Sequence, residues 1–263
     1  MSADEARTMP YRAAYGSGVY VRSLAIRSPA PGRINLAMED PVHAFEIDFE
    51  HRDDRVTAVR GAWVRQPLSS CAGAPGALAD AMVGCRLSDN VFDIARHTDA
   101  ATQCTHMYDM FCLAATHAHA RRADCRYDVI VPDALDGPRR ATLSCNGETL
   151  LSFAIDENET IVEPAAYGGI GVLKGFMAWV RANVPVQQHE HYFIMQRALF
   201  VARSQRIDIE SMIGEQARHS GPAAGSCFGS QPQRYETALR VGVVKRFDRA
   251  SADDALSFFF EPR

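Results

Sequence analysis

The clearest regularity in the chain is an alternation between His43 and Glu50, where apolar Phe45, Ile47 and Phe49 interleave with Glu46, Asp48 and Glu50. Period two is the signature of a strand with one wet face. Asp53-Asp54 then turns the chain into a second strand over Arg55 to Val64, ended by Pro67, so the two segments predict a hairpin. The Gly/Ala/Ser-rich stretch 69–76 reads as a link into short helices over Ala77 to Val83 and Val91 to Arg96. At Thr105 the period becomes helical: Met107, Met110, Phe111, Leu113 and Ala114 predict a helix running to about His119. Its start is expected near Thr102, with Asp99 or Thr102 as cap. Period two returns at Tyr127, Val129 and Val131, and Ala141 to Ser152 folds about Asn146-Gly147, the strongest two-residue hairpin signal. A further strand over Ser152 to Ile155 and a turn at Glu157-Asn158 into Thr160 to Val162 complete a small sheet. Helices are expected over Val172 to Asn183, Gln188 to Ser204 and Ile209 to His219, while Tyr235 to Phe247 fits helix or strand equally.

Pairs of strands followed by runs of helices, without βαβ alternation, give an α+β fold in which antiparallel hairpins and a small sheet pack against several helices. Residues 1–18, rich in Ala, Gly and Ser, read as a flexible arm, and 19–263 as one domain with a hairpin-helix half to about 122 and a sheet-helix half after it. Each half passes from hairpin to helices, but no internal repeat is legible. Tyr11 and Tyr15 in the arm and the Phe258-Phe259-Phe260 tail point to a homodimer, since exposed aromatic runs are usually covered.

Composition narrows the function. At 263 residues and 47% hydrophobic the chain can bury a sizeable core, and its net charge is −4. Lysine occurs only at Lys174 and Lys245, and the arginines are scattered without a basic block, so nucleic acid is not an expected partner. No apolar stretch is long enough for a membrane span. Seven cysteines without a CxxC pair, and no N-terminal apolar segment, predict free thiols and a cytoplasmic location.

The candidate chemistry gathers between His97 and Asp109. Cys104 and His106 are expected in the first turn of the long helix, where the macrodipole favours thiolate over thiol and neutral over protonated imidazole. His106 and Asp109 are three apart and share a face, so Asp109 is the expected partner that fixes the imidazole tautomer. His97 approaches from the preceding loop. Cys71, Cys104, His97 and His106 would together supply four zinc-type ligands, but two ligands two apart on a helix diverge by about 200°, so that set requires the helix to start after His106. Cys104 is a candidate nucleophile by the same helix-terminus argument. A buried, inert cysteine beside a hydrogen-bonded histidine accounts for the same residues. His117-Ala-His119 and His189-Glu-His191 read as solvated surface histidines. Tyr167-Gly-Gly-Ile-Gly171 lacks dinucleotide and phosphate-loop spacing, which leaves Tyr167 covering a pocket and no organic cofactor expected.

Four short motifs stand in order: Leu68-Ser69-Ser70-Cys71, Cys104-Thr105-His106-Met107, Glu163-Pro164-Ala165-Ala166-Tyr167-Gly168-Gly169 and Gly225-Ser226-Cys227-Phe228. In these the chain, from about His43 to Phe247, resembles the bacterial family catalogued as domain of unknown function 2889. That family supplies no activity or cofactor; the resemblance implies that the four regions belong to one domain in a bacterial cytoplasm.

By elimination the leading expectation is a cofactor-independent catabolic lyase acting on an oxygenated small molecule, aromatic ones included, by C–C or C–O cleavage, deformylase-like. His106 or His97 would be the base, Tyr167 a donor, and Arg197 an anion-binding group, with Cys71, Cys104, Cys227 and Lys174 lining the site. The alternatives are a hydrolase or thioesterase that uses Cys104 or a Cys/His metal, and a non-catalytic ligand-binding or scaffold protein.

Overall fold

The computed structural model describes residues 9–260. Eight strands, β1 (Val19–Ala30), β2 (Arg33–Glu39), β3 (Ala44–Arg52), β4 (Arg55–Arg65), β5 (Cys125–Pro132), β6 (Arg139–Cys145), β7 (Glu148–Ile155) and β8 (Ile161–Glu163), form one antiparallel sheet in the order β4-β3-β2-β1-β5-β6-β7-β8. The fold is α+β, as the pattern predicts. Both expected hairpins form. Asn146 and Gly147 take φ of 48° and 85°, and Asp53 and Asp54 take 49° and 57°, the left-handed values that a two-residue primed turn needs.

The sheet is larger than its alternation reveals. β1 and β2 escape a period-two reading because both faces are covered: Val19 to Ile26 are buried without a break. A strand enclosed on both sides carries no wet face to mark its period. Ser152 to Ile155 extends β7 instead of forming a strand of its own.

The strand order runs outward in sequence from the centre to both edges. Each half is a four-strand meander followed by a long helix, and the halves join where β1 pairs β5, with Leu24 opposite Tyr127. Helices α1 (Ala74–Met82) and α2 (Val91–Ile94) precede α3 (Thr105–Ala120), which packs over β1, β2 and β3; α4 (Phe176–Asn183) precedes α5 (His189–Ala202), which packs over β5, β6 and β7. One continuous core lies between them. It includes Leu24, Leu36, Phe45 and Phe49 from the sheet, Phe111 and Leu113 from α3, and Phe193 and Leu199 from α5.

The opposite face of the sheet is covered by the end of the chain. Val19 and Val21 pack with Phe247, Ala252 and Ala255, while Ala25 and Ala37 meet Leu256. Glu39, 2% exposed, holds that segment: it accepts from the Leu256 N–H at 2.7 Å and pairs with Arg65 at 3.0 Å and Lys245 at 3.2 Å. Two more helices are short, α6 (Pro232–Tyr235) and α7 (Ser257–Phe260). Arg27 lies 4.8 and 4.4 Å from the ring centres of Phe259 and Phe260. The aromatic tail that suggested a second subunit is therefore seated on its own sheet. The arm is tied in as well: Arg12 pairs with Asp133 at 2.5 Å, and Tyr15 is buried. Residues 1–8 of the expected arm lie outside the described residues.

Two expected elements differ. Ile209 to His219 holds only 3-10 turns, Glu210–Met212 and Ala217–His219, and the chain from Glu236 to Phe247 is neither helix nor strand. Side chains supply the order there: the Tyr235 hydroxyl donates to the carbonyls of Ala217 and Pro222, at 3.0 and 2.6 Å. Among the described residues, no helix is long and apolar enough to cross a membrane.

Leu36 sits in a central strand under α3 and is fully buried. Leu36→Ala should cost about 2–5 kcal/mol of stability in urea unfolding; a loss below about 1 kcal/mol would mean that the core closes over the cavity.

Candidate acid–base site

The site is built at the end of β2. The β1–β2 register, Ser23 opposite Glu39, brings Arg22 across from Asp40 on the helix-covered face. Arg22 is 1% and Asp40 0% exposed, and the guanidinium Nη2 lies 2.7 Å from Asp40 Oδ2. The Tyr20 hydroxyl donates to the same oxygen at 3.3 Å. Oδ1 accepts from the backbone N–H groups of Val42 (3.0 Å) and His43 (2.8 Å), which shapes the turn into β3, and lies 3.0 Å from His43 Nδ1. An ionised carboxylate only accepts, so His43 Nδ1 carries its proton toward Asp40 and Nε2 is left available. The His43 ring stacks on His106, with centroids 3.8 Å apart and planes at 25°.

Electrostatics sort these groups. Burial, the largest influence on Asp40, would raise its pKa, yet His43 and Arg22 together hold it well below the usual carboxylate range. Burial pushes His106 the other way for an imidazole, well below 6.5, and the neighbouring His43 and Arg22 add to this, so the ring is neutral near pH 7. Tyr20 is pushed up by burial and stays a phenol.

Ligand atoms of Asp40, His43 and His106 all lie within 4.8 Å of one another, the one such group of His, Cys, Asp and Glu among the described residues. The carboxylate, however, is committed on both oxygens, one of them to a permanent cation. Only two imidazole nitrogens remain for an ion, fewer than the three protein ligands of a zinc site. The arrangement suits orientation of His43 better than chelation.

The sequence-derived site is redrawn by this geometry. Asp109 does not orient His106; its Oδ2 forms an ion pair with Arg197 Nε at 2.6 Å, linking α3 to α5. Burial raises the Asp109 pKa despite that arginine. His97 is exposed on a turn upstream of α3, outside the Asp40–His43–His106 group. The proposed ligand set Cys71, Cys104, His97 and His106 is not assembled: α3 starts at Thr105, before His106, with Cys104 as N-cap, and the two side chains do not converge. Asp99 caps a separate 3-10 turn, accepting from Ala101 N–H at 2.9 Å. Tyr167 belongs to another cluster, where its hydroxyl is 2.8 Å from that of Tyr192 and its ring meets Trp179 and Phe153. Lys174 is exposed on the loop before α4.

The cysteine motifs do meet. Phe228 N–H donates to the Gln103 carbonyl at 2.8 Å and Ser70 Oγ to the Gly229 carbonyl at 2.7 Å, so the Cys71, Cys104 and Cys227 segments touch. The helix terminus does not produce a thiolate there. Burial raises Cys104 to about 12, which the backbone N–H groups of Met107 and His106 only partly oppose, and raises Cys71 to about 11. Desolvation outweighs the terminus.

Asp40 and His43 were not legible as a site, because their partners lie on the unrecognised strand β1; the Asp-Pro-Val-His turn was the available signal. Two surface clefts, of about 510 and 410 Å³, lie elsewhere, one over Arg33, Asp48 and Arg60 behind the sheet and one beside Asp133 and Asp248. Comparison with protein-family models finds no match, and comparison with curated proteins finds none.

The pKa shifts fix the sign of the pH dependence. His106 takes up a proton near 6.5 when unfolded but resists it when folded, so stability should fall as pH drops below about 6.5. Asp40 adds a second loss in acid: its contribution is complete above the unfolded value of 3.8 and fades as pH falls toward its lower folded pKa. Urea unfolding of His106→Gln should show a shallower decline between pH 7 and about pH 5 than the parent; an identical decline would refute the neutral imidazole.

Proposed function

We propose that this protein is a small-molecule enzyme of lyase type that works by general acid–base chemistry, with His106 as base and the Asp40-oriented His43 as its proton partner. The observation that carries the reading is the stacked imidazole pair backed by a buried carboxylate. A neutral imidazole that retains partial exposure can take a proton from a bound substrate. Once protonated, it faces Arg22 and His43 at close range, which favours passing the proton on to a leaving group or back to carbon. Arg197, with 37% of its side chain exposed beside Asp109, offers a cation to a carboxylate or phenolate. Such a site suits cleavage next to an oxygenated, acidic carbon.

Tyr167 has no place in this scheme, since it pairs with Tyr192 instead. A hydrolase built on Cys104 has weaker support, because the thiol is enclosed and protonated. Free thiols at all seven cysteines fit a reducing cytoplasm. The contact between the segments that carry Cys71, Cys104 and Cys227, the second of them opening the His106 helix, fits the single unit that the resemblance to domain of unknown function 2889 implies; the Glu163 to Gly169 motif sits on the other half of the sheet, next to β8.

Proton abstraction is measurable before the physiological substrate is known. In D₂O, NMR should show loss of carbon-bound protons from one or more members of a panel of 2-oxo, 3-hydroxy and phenolic acids with the parent protein. His106→Gln and His43→Gln should slow this by at least about 100-fold with the circular dichroism spectrum unchanged. Exchange that survives in both variants would remove these residues from the chemistry.

A further inference from the structure

A second polar cluster, independent of the site above, lies between the C-terminal end of α3 and the start of α5. His117 is 3% exposed, and its Nδ1 lies 3.7 Å from the Cys125 thiol at the start of β5. On the other side of the ring, Nε2 is 3.6 Å from Glu190 Oε2 and 3.3 Å from the Tyr127 hydroxyl, which itself donates to Glu190 Oε1 at 3.1 Å. Glu190 is further held by Arg122 and by His191, 3.5 Å away. Thiol, imidazole and carboxylate thus stand in line, with the imidazole fixed from behind and the thiol half-buried.

We propose that Cys125, His117 and Glu190 form a nucleophilic triad for acyl transfer, with Cys125 as the attacking group and thioesters or activated esters as the substrate class. The thiol sulfur bonds to the acyl carbon as its proton moves to His117 Nδ1, and the ester oxygen or thioester sulfur leaves with that proton; the product is an acylated Cys125 that water hydrolyses by the reverse proton path. Glu190 is a positioning residue, facing the imidazolium that forms during attack. Arg122, with 31% of its side chain exposed, interacts electrostatically with Cys125 and offers a cation to the developing oxyanion.

Burial holds Cys125 up to about 12 and His117 down to about 4, so the resting pair is an un-ionised thiol and a neutral imidazole. That resembles a hydroxyl–imidazole pair more than a preformed thiolate–imidazolium pair. Reactivity should therefore depend on the imidazole during attack. Cys145 supplies the comparison: it lies opposite Tyr127 on β6, is also half-buried, and adjoins Cys125 in the same surroundings, but among the described residues only Cys125 has a thiol against the His117 nitrogen.

The test is acetylation of the full chain by p-nitrophenyl acetate, with each cysteine followed by peptide mass spectrometry. Cys125 should be acetylated at least about tenfold faster than Cys145. His117→Ala should abolish that advantage, added imidazole should restore part of it, and Glu190→Gln should slow Cys125 without slowing Cys145, whose thiol the Glu190 charge only makes harder to ionise. Equal rates at the two cysteines in the parent protein would overturn the triad, whether or not the variants fold. Equal slowing of both cysteines in Glu190→Gln would overturn the positioning role.

Discussion

The structure depends on one buried ion pair, Arg22 with Asp40, set into the centre of the sheet. Removing two such charges from water costs several kcal/mol per ion, and attraction offsets that only where the remaining polar atoms are satisfied. Asp40 meets that condition, with the Tyr20 hydroxyl, two backbone N–H groups and His43 also directed at it, whereas Arg22 meets it only in part, since its Nε is buried without a hydrogen-bond partner. The pair also fixes register. Glu39 and Asp40 are adjacent carboxylates on opposite faces, one holding the chain end behind the sheet and the other holding the histidine turn in front. A slip of one residue would exchange them and leave both charges buried without partners.

From that pair the chemistry follows by proximity. Burial first, and then His43 and Arg22, make protonation of His106 unfavourable, while Asp40 keeps its charge and its hold on the His43 ring. The second meander repeats the architecture but not the chemistry. Its long helix brings Glu190 and Arg197 toward α3, so the two helices are joined near one end by Asp109 with Arg197 and near the other by His117 with Glu190. Each end of α3 consequently carries its own histidine cluster.

The cysteines show how competing effects resolve. A helix N-terminus lowers a thiol pKa and enclosure raises it, and at Cys104 enclosure prevails. Enclosure also makes His117 and His189, which read as surface residues, into buried groups with fixed partners. His117 meets Tyr127, Glu190 and Cys125, and His189 lies 2.8 Å from the Val184 carbonyl.

The sequence by itself determined the elements whose two sides differ. The β3–β4 hairpin was legible because one face of it meets water, the Asn146-Gly147 turn because it demands particular residues, and α3 and α5 because their large apolar residues recur at helical spacing, although nearly all of each helix is enclosed. It also singled out His106 and Arg197 as candidates for the site. Tertiary structure decided everything that depends on being enclosed. β1 lost its period by burial on both faces, and with it went any sign that Tyr20 and Arg22 sit beside Asp40. Asp109 turned to an arginine 88 positions away instead of the histidine one turn back, and the thiols stayed protonated where the local rule favoured ionisation. Local pattern reports on solvent contact and backbone geometry, whereas partners and ionisation are set by neighbours distant in the chain, which only the closed sheet brings together.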